Sequence, residues 1–203
     1  MNLGELFRQV RHLFPSEAFR EIRIKGTGFG LLLAPKGDIE VGFWCGVMPA
    51  KPGRPGGVVQ VGCSLPTVER LIESFEIEKS LSIGIRLERF PRLSFMSESF
   101  DFVVADDVQD SDRLKSIYEC CEKTTEEELK VHILALTRPA WAIGSAPDQI
   151  ALRALALEHL QGGARAVRQR REGVVQLAEC DQIHIRKLME FADWLSRREM
   201  YPN

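Results

Sequence analysis

The sequence predicts an α+β protein, in which an antiparallel sheet of about five to six strands is packed by helices on one face and followed by a helical C-terminal extension. Three observations predict this architecture. Apolar residues recur at helical spacing in residues 3–14, they alternate or form short runs through residues 21–105, and helical periodicity dominates from residue 110 onward. Short links between the strand candidates favour antiparallel connections over parallel crossovers.

The first element is predicted to be an amphipathic helix over residues 3–14. Pro15-Ser16 is expected to end it. Leaving its apolar stripe exposed would be costly, because each fully buried large side chain is worth about 1.5–3 kcal/mol. We therefore expect this helix to pack on the sheet or on another chain. The stripe consists of Leu3, Leu6, Phe7, Val10, Leu13 and Phe14.

Three strand candidates follow the helix. Alternation in residues 21–25 and an apolar run in 29–33 predict the first two, and a turn is expected at 35–38. In the third strand, Ile39, Val41, Phe43 and Cys45 are predicted to share one side. Trp44 is predicted to lie on the other, more polar side.

Residues 48–57 contain three prolines and three glycines and are predicted to form a long loop before the sheet resumes at Val58–Val61. Loops of this length are often functional. A stiff, proline-rich loop that carries Lys51 and Arg54 suits a recognition surface better than a reaction centre. A mobile loop without a function fits the same composition equally well.

The next segment is predicted to be a helix from Pro66 to about Phe75, since proline suits a first helical turn. Clean alternation in residues 81–87 predicts the clearest strand of the chain, and Phe100–Ala105 is expected to be the last strand.

The second half of the chain is predicted to be mostly helical. A helix is expected at residues 112–122, and Thr124-Thr125 followed by Glu126–Glu128 resembles a capping box. Residues 129–136 fit a helix or a strand. Another helix is expected to start at Ser145–Asp148 and to stop or kink at Gly162-Gly163. The last predicted helix runs from Asp181 to about Met200, with Ile183, Leu188, Phe191 and Leu195 facing inward.

We expect a core domain at residues 1–122 and a mainly helical extension at residues 123–203 that packs on it. No apolar run approaches the roughly 18 residues of a membrane span, and the N-terminus lacks the pattern of a secretory signal. Five cysteines without a C-x-x-C pair predict buried, reduced thiols. A cytoplasmic location is therefore expected.

Charge is strongly segregated along the chain, although the net charge is only −2. Residues 97–128 contain eleven acidic and three basic residues, a balance of −8, whereas residues 1–60 and 129–203 each balance at +3. Such asymmetry indicates an acidic face that could steer a basic partner. A solvated surface with acidic helix N-termini would show the same pattern.

Three motifs suggest chemistry, and each has a simpler interpretation. Gly26–Gly30 lacks the helix that a dinucleotide loop needs, so a tight hairpin is preferred. Cys63 precedes a helix N-terminus, which would stabilise a thiolate, but no base is evident beside it. The carboxylates of 106–112 lack the central glycine of an EF-hand loop, and a helix start explains them. Neither a metal nor a cofactor is expected.

Arg165, Arg168, Arg170 and Arg171 form the densest basic cluster. Phosphate contacts would be its functional role. It lacks interleaved aromatic residues, and the sequence pI is about 6.1. A solvated helix end, or ion pairing with the acidic segment, is therefore preferred.

These observations favour a non-catalytic protein-binding module of the chaperone, adaptor or toxin-neutralising type, acting through a charged surface in a bacterial cytoplasm. The expected partner is another protein, with a homodimer also compatible; nucleic acid and membrane are not expected partners. The alternatives are a small enzyme that uses Cys63 or the 106–112 carboxylates, and a nucleic-acid binder that uses the 165–171 arginines. The candidate contact residues are Trp44, Lys51, Arg54, Asp106, Asp107 and Asp110.

The predicted element order of residues 1–122 is helix, three strands, helix, two strands, helix. This order is similar to that of the dimeric type III secretion chaperones, which would imply protein binding and self-association. The similarity is one of order alone: their sequence motifs are missing, a further strand is predicted at Val58–Val61, and residues 123–203 have no counterpart.

Overall fold

The computed structural model describes residues 2–14, 18–23, 28–51, 54–82, 96–103, 108–137, 147–177 and 181–198. Their strands are β1 (Arg20–Arg23), β2 (Phe29–Lys36), β3 (Ile39–Lys51), β4 (Arg54–Ser64) and β5 (Met96–Val103). Their helices are α1 (Leu3–Leu13), α2 (Pro66–Ser82), α3 (Val108–Lys123), α4 (Glu126–Leu134), α5 (Pro147–Leu177) and α6 (Gln182–Ser196).

The five described strands form one sheet in the order β1-β2-β3-β4-β5, and every neighbouring pair is antiparallel. The predicted α+β class is confirmed. A two-residue turn, Gly37-Asp38, joins β2 to β3, and Gly37 has a φ of 61° that favours glycine. The turn falls within the predicted range, although β2 continues through Pro35 to Lys36.

One face of the sheet is packed by α1 and α3. The register places Leu32, Phe43 and Val61 side by side, and all three are buried. The Phe43 ring lies 4.7 Å from the Phe14 ring and stacks on the Tyr118 ring at 5.2 Å between centroids. The prediction that Ile39, Val41, Phe43 and Cys45 share a buried side is confirmed.

Helix α1 begins with a capping box and packs directly on the sheet. Asn2 Oδ1 accepts from the Glu5 amide at 3.0 Å, and Glu5 Oε2 accepts from the Asn2 amide at 2.7 Å. Gly30 permits the close approach, since a Cβ there would lie 2.5 Å from the Phe7 ring and 2.7 Å from the Ile22 carbonyl oxygen. The helix was predicted to pack on the sheet or on another chain, and the structure shows it on the sheet.

The predicted loop at residues 48–57 is wrong. β3 continues to Lys51 and β4 begins at Arg54, so most of the segment is a hairpin. Met48 pairs with Gly56, and the next described pair is Lys51 with Arg54. Two residues of β3 therefore lie opposite one residue of β4, which is a β-bulge. The prolines are tolerated because a bulge at this position does not require their missing N–H groups.

The predicted strand at residues 81–87 is also wrong at its start. α2 continues past Phe75 to Ser82, so Leu81 is helical, and residues 83–87 lie outside the described part of the chain. Extending a helix adds a hydrogen bond for each residue that is ordered, whereas a strand needs a partner. The prediction of a last strand at 100–105 overlaps β5, and Ala105 falls outside the described residues.

The segment 129–136 proves to be helical as far as Leu134. The predicted capping box at its start is confirmed: Thr125 Oγ1 accepts from the Glu128 amide at 3.2 Å, and Glu128 Oε2 accepts from the Thr125 amide at 2.9 Å. Lys36 at the end of β2 donates to the carbonyl oxygens of Glu122 and Thr124, which ties the end of α3 to the sheet.

Helix α5 is broken at Gly163, where φ is 64° and ψ is −161°, as the glycine pair predicts. The break is sharp. Arg170 Nε lies 2.8 Å from Glu158 Oε1, although twelve intervening steps of a straight helix would separate these residues by about 18 Å. The second half of α5 therefore folds back along the first half.

Helix α6 is capped by Asp181, whose Oδ1 accepts from the amides of Ile183 and His184 at 3.0 Å. Leu188, Phe191 and Leu195 are buried, as predicted. The inward orientation predicted for Ile183 is wrong, since this residue is 79% exposed. The first turn of α6 is exposed throughout, so its apolar stripe is buried only farther along the helix. Met200 lies outside the described residues.

The helices of the C-terminal half share a buried cluster with α2 and the sheet. This cluster includes Ile72 of α2, Leu155 of α5 and Leu188 of α6 together with Phe43. The chain therefore packs α2, α5 and α6 against one another. The division into units 1–122 and 123–203 stays a prediction.

Candidate functional site

The β3–β4 hairpin continues past the described pairing with its neighbours. The β2–β3 register ends at Gly46, with one further bond from the Val47 amide to the Gly28 carbonyl oxygen at 2.8 Å, and the β4–β5 register ends at Gly56. Residues 24–27 and 104–107, which adjoin these ends, lie outside the described part of the chain. We call residues 47–51 and 54–56 the hairpin arm. Its two strands pair with each other, and the bulge lies within it.

The hairpin arm brings two of the predicted contact residues together. Lys51 and Arg54 are cross-strand partners at the far end of the arm. The register thus places two basic residues of the sequence at one position of the hairpin.

An aromatic pair lies at the base of the hairpin arm. The Trp44 ring stacks on the Phe29 ring, with 4.9 Å between centroids and 23° between planes. Gly46 makes room for both rings, because a Cβ there would lie 2.7 Å from Phe29 and 2.8 Å from Trp44. Both side chains are half-buried, so each retains some exposed surface.

Trp44 lies on the side of the sheet opposite the helix-packed face, as the sequence predicts. It packs there with Ile22 against the buried residues Leu31 and Leu33, in a small hydrophobic cluster separate from the main core. Alternation along β2 explains the separation, since Leu32 belongs to the main core and its two neighbours do not. Trp44 thus has a packing role as well as an exposed edge.

The acidic candidates are only partly placed. Asp106 and Asp107 lie outside the described residues, and Asp110 lies in the first turn of α3. β5 ends at Val103, which pairs with Gly56 of the hairpin arm, and α3 begins at residue 108. Five residues span at most about 17 Å, so the basic arm and the acidic start of α3 belong to the same end of the sheet.

Cys63 is fully buried on β4, and its thiol is a neighbour of the Cys121 thiol on α3. The hydrogen bond with Cys63, together with burial, raises the pKa of Cys121 far above its usual range. Burial alone raises the pKa of Cys45 in the same way. The Cys121 thiol beside Cys63 is therefore held neutral, and a neutral thiol is not the base that a cysteine nucleophile requires.

Most of the arginine cluster of 165–171 makes contacts with other parts of the same chain at exposed positions. Arg168, Arg170 and Arg171 join the second half of α5 to other helical segments, and Arg165 is also exposed. The predicted ion pairing with the acidic segment is wrong, because the described carboxylate partners of the cluster, Glu158 and Asp193, lie in the C-terminal half. The contacts are Arg168 to the Ser196 carbonyl oxygen (3.2 Å), Arg170 to Glu158 (2.8 Å) and the Leu134 carbonyl oxygen (2.8 Å), and Arg171 to Asp193 (2.7 Å).

Sequence reasoning missed a buried ion pair between α2 and α5. Arg153 is fully buried and bonds Glu69 through two parallel contacts, Nε to Oε1 at 2.7 Å and Nη2 to Oε2 at 2.8 Å. Its Nη1 donates to the Gln149 carbonyl oxygen at 2.8 Å. A charged residue within an Ala/Leu-rich helix was the available signal, but its partner is 84 residues away in sequence.

His159 is the second buried ionisable residue of the helical layer. It is 6% exposed, and its Nδ1 has no hydrogen-bond partner within the described residues. Burial and the nearby Arg198 lower its pKa, so the neutral imidazole is favoured. The sequence marks it only as a histidine within a helical stripe.

Two further observations concern the described residues as a set. No three or more of their His, Cys, Asp and Glu side chains are grouped in a way that would hold a metal ion. Nor does any described helix combine the length and apolarity needed to cross a bilayer.

The fold defines the protein as an α+β protein with a sheet that follows chain order. Comparison with protein-family models, with curated proteins and with solved structures gives no match. The element order also departs from the one that suggested type III secretion chaperones: four strands precede α2, and one described strand follows it.

Proposed function

We propose that this chain is a non-catalytic protein-binding module of the chaperone, adaptor or toxin-neutralising type. In this proposal the partner contacts the hairpin arm and the aromatic pair of Phe29 and Trp44 at its base. The observation that supports it is the arm itself, which continues past the described pairing with β2 and β5 and makes Lys51 and Arg54 cross-strand partners.

The composition of this end of the sheet suits recognition. Trp and Arg are enriched among the residues that dominate binding energy in protein interfaces, and Lys is not. An aromatic side chain buries about 150–250 Å² when it is fully covered, so the exposed part of the Trp44–Phe29 pair offers a useful contact area. Arg54 and Trp44 are accordingly the residues from which we expect the largest contributions.

Rigidity of the arm also favours binding. Pro49 and Pro55 restrict φ to about −65°, so ordering the arm on binding would cost less conformational entropy. A flexible glycine-rich loop would lack this advantage. The proline content that argues for a loop in the sequence is therefore consistent with a preformed binding element.

Compartment and assembly belong to the same proposal. The described cysteines are all free, and Cys45, Cys63 and Cys121 are buried, which suits a reducing cytoplasm. Another protein is the proposed partner, and a homodimer is compatible with the arrangement.

The test uses a photo-crosslinkable phenylalanine derivative at position 44 of the full chain, expressed in its native host. The matched control carries the same residue at Val131, which is 64% exposed on α4 and far from the arm in sequence. We expect one discrete protein adduct from position 44 and none from position 131. The absence of an adduct at 44, or the same adduct at both positions, would contradict the proposal.

The purified partner then allows a quantitative check. Trp44→Ala should weaken binding by about tenfold or more, as expected for an aromatic anchor, whereas Val131→Ala should leave it unchanged. Thermal unfolding of both variants separates loss of binding from loss of folding.

A further inference from the structure

Two of the buried cysteines belong to elements that pack on each other. Cys63 lies near the end of β4, Cys121 lies in the last turn of α3, and both side chains are fully buried. Cys63 shares the helix-packed side of β4 with Val61, because residues two apart along a strand face the same way. The proposed binding function uses neither thiol.

The ring contacts and the strand register place the two cysteines opposite each other. Tyr118 of α3 stacks on Phe43, and Phe43 pairs with Val61. Cys63 lies two residues beyond Val61, which is about 7 Å along the strand. Cys121 lies three residues beyond Tyr118, which is about 5 Å along the helix and on the same face.

Both of these steps lead toward the β2–β3 turn. Lys36, the last residue of β2, donates to the Thr124 carbonyl oxygen at 3.0 Å, just after the end of α3. Ser64, which follows Cys63, pairs with Glu40 beside the same turn. The two thiols therefore face each other where α3 packs on β4, and the hydrogen bond between them agrees with this placement.

We propose that Cys63 and Cys121 form a redox-sensitive pair, which a small disulfide such as glutathione disulfide oxidises to an intramolecular disulfide that joins α3 to β4. One protein thiolate attacks a sulfur of the oxidant, forms a mixed disulfide and releases one glutathione thiolate. The second protein thiolate attacks the protein sulfur of that mixed disulfide and releases the other glutathione. The pair thereby loses two electrons and two protons, and one glutathione disulfide becomes two thiols. This inference is independent of the proposed binding function.

The other described cysteines lack this geometry. Cys45 faces the same side of the sheet, but its β4 partner Val59 is four residues from Cys63, about 13 Å along the strand. A disulfide requires Cα atoms within about 7 Å of each other. Cys120 is the chain neighbour of Cys121, but successive residues point about 100° apart around a helix, and Cys120 is only partly buried.

Burial makes the oxidation slow in the folded protein. A thiol attacks a disulfide as its thiolate, and the hydrogen bond with Cys63 and burial both raise the pKa of Cys121. Oxidation must therefore follow a local opening of α3 from β4. We expect the rate to increase in urea concentrations that lie well below the unfolding transition.

The experiment incubates the reduced full chain with excess glutathione disulfide at about pH 8, alkylates the remaining thiols under denaturing conditions and maps linked peptides by mass spectrometry. We expect one linked pair of peptides, joined through Cys63 and Cys121. Cys45 is the matched control, because it is equally buried on the same side of the sheet, and it should stay reduced.

The melting temperature gives a second readout. The oxidised chain should melt roughly 10 °C higher than the reduced chain, because the disulfide closes a loop of about 60 residues. Cys121→Ala should abolish both the linked peptides and this shift. Dithiothreitol should reverse both changes in the unaltered chain.

A disulfide between other cysteines would overturn the inference. So would a folded chain that stays reduced under conditions in which the urea-unfolded chain is oxidised, since the two thiols would then have a packing role alone. A change that dithiothreitol does not reverse would likewise contradict a disulfide. The linked peptides come from the unaltered chain, so this readout does not depend on whether Cys121→Ala folds.

Discussion

The helix-packed face of the sheet and the helical layer of α2, α5 and α6 share one apolar cluster, but the helical layer also contains a buried ion pair. On the sheet, the Phe43 ring lies between two other rings, with centroid distances of 4.7 Å to Phe14 and 5.2 Å to Tyr118. In the helical layer, a fully buried Arg153 bonds Glu69 at the contact of α5 with α2.

Charged groups also join α2 to α6 around an aromatic cluster. Trp194 Nε1 donates to Glu78 at 3.0 Å, and Lys187 contacts Glu76 at 3.0 Å. Apolar contacts tolerate substitutions of similar volume, whereas a buried charge depends on one particular partner. We therefore expect substitutions in the sheet to lower the free energy of unfolding by small steps, and removal of one buried charge in the helical layer to lower it by a large one.

The largest effect is expected from Arg153→Met. Removing the guanidinium deletes both of its contacts with the nearly buried Glu69 carboxylate, which should lower the free energy of unfolding by about 3–5 kcal/mol in urea titrations. The double variant Glu69→Leu with Arg153→Met removes both charges and should recover most of the loss. A double variant as unstable as the single one would show that packing, and not charge, dominates here.

The counterpart on the sheet is Gly30→Ala. The added methyl group must displace the Phe7 ring, 2.5 Å away, and should cost about 1–3 kcal/mol as α1 shifts. Gly173→Ala is the matched control, because nothing lies within 4 Å of its added Cβ; there a gain of about 0.5–1 kcal/mol is expected. If both substitutions stabilise the protein, α1 does not depend on the space at Gly30.

A third prediction concerns pH and the helical layer. Folding lowers the pKa of His159 below its value in the unfolded chain, which is about 6.5. The unfolded chain therefore binds the proton more readily than the folded protein does. The stability contributed by the neutral imidazole is complete above that unfolded pKa and is lost as the pH falls toward the folded value. Between pH 7.5 and pH 5, wild type should lose more stability than His159→Gln; parallel curves would exclude His159 as the cause.

The smallest effect is expected from Lys187→Met. Its partner Glu76 lies 3.0 Å away, but the Lys187 side chain is 33% exposed, and partly exposed ion pairs contribute about 0–1 kcal/mol. Chemical denaturation should therefore show a loss below about 1 kcal/mol. A loss above about 2 kcal/mol would indicate that the charges between α2 and α6 act as one network.

Local patterns predicted most of the fold. The alternation in β3, the stripe of α1 and the capping box at Thr125 all have counterparts in the structure, because each depends on residues a few positions apart. The errors share another cause. In the hairpin arm, pairing of β3 with β4 outweighed the local preference of proline for a loop. At the end of α2, helix propagation outweighed the period-two alternation that predicted a strand.

The candidate site was predicted in part. Trp44, Lys51 and Arg54 were chosen from composition and alternation, but their arrangement around one hairpin was not, since the loop interpretation hid it. The Glu69–Arg153 pair could not be predicted, because neither residue has a local feature that identifies a partner 84 positions away.

The sequence by itself determined which residues alternate, cap and turn, and hence the α+β class, the buried side of β3 and the break at Gly163. Only the tertiary structure decided that the β3–β4 hairpin continues past its described pairing with β2 and β5, and that Arg170 bonds Glu158 across the break in α5. The physical reason is range: propensity acts over a few residues, whereas register and ion pairing depend on chain segments that meet only after folding.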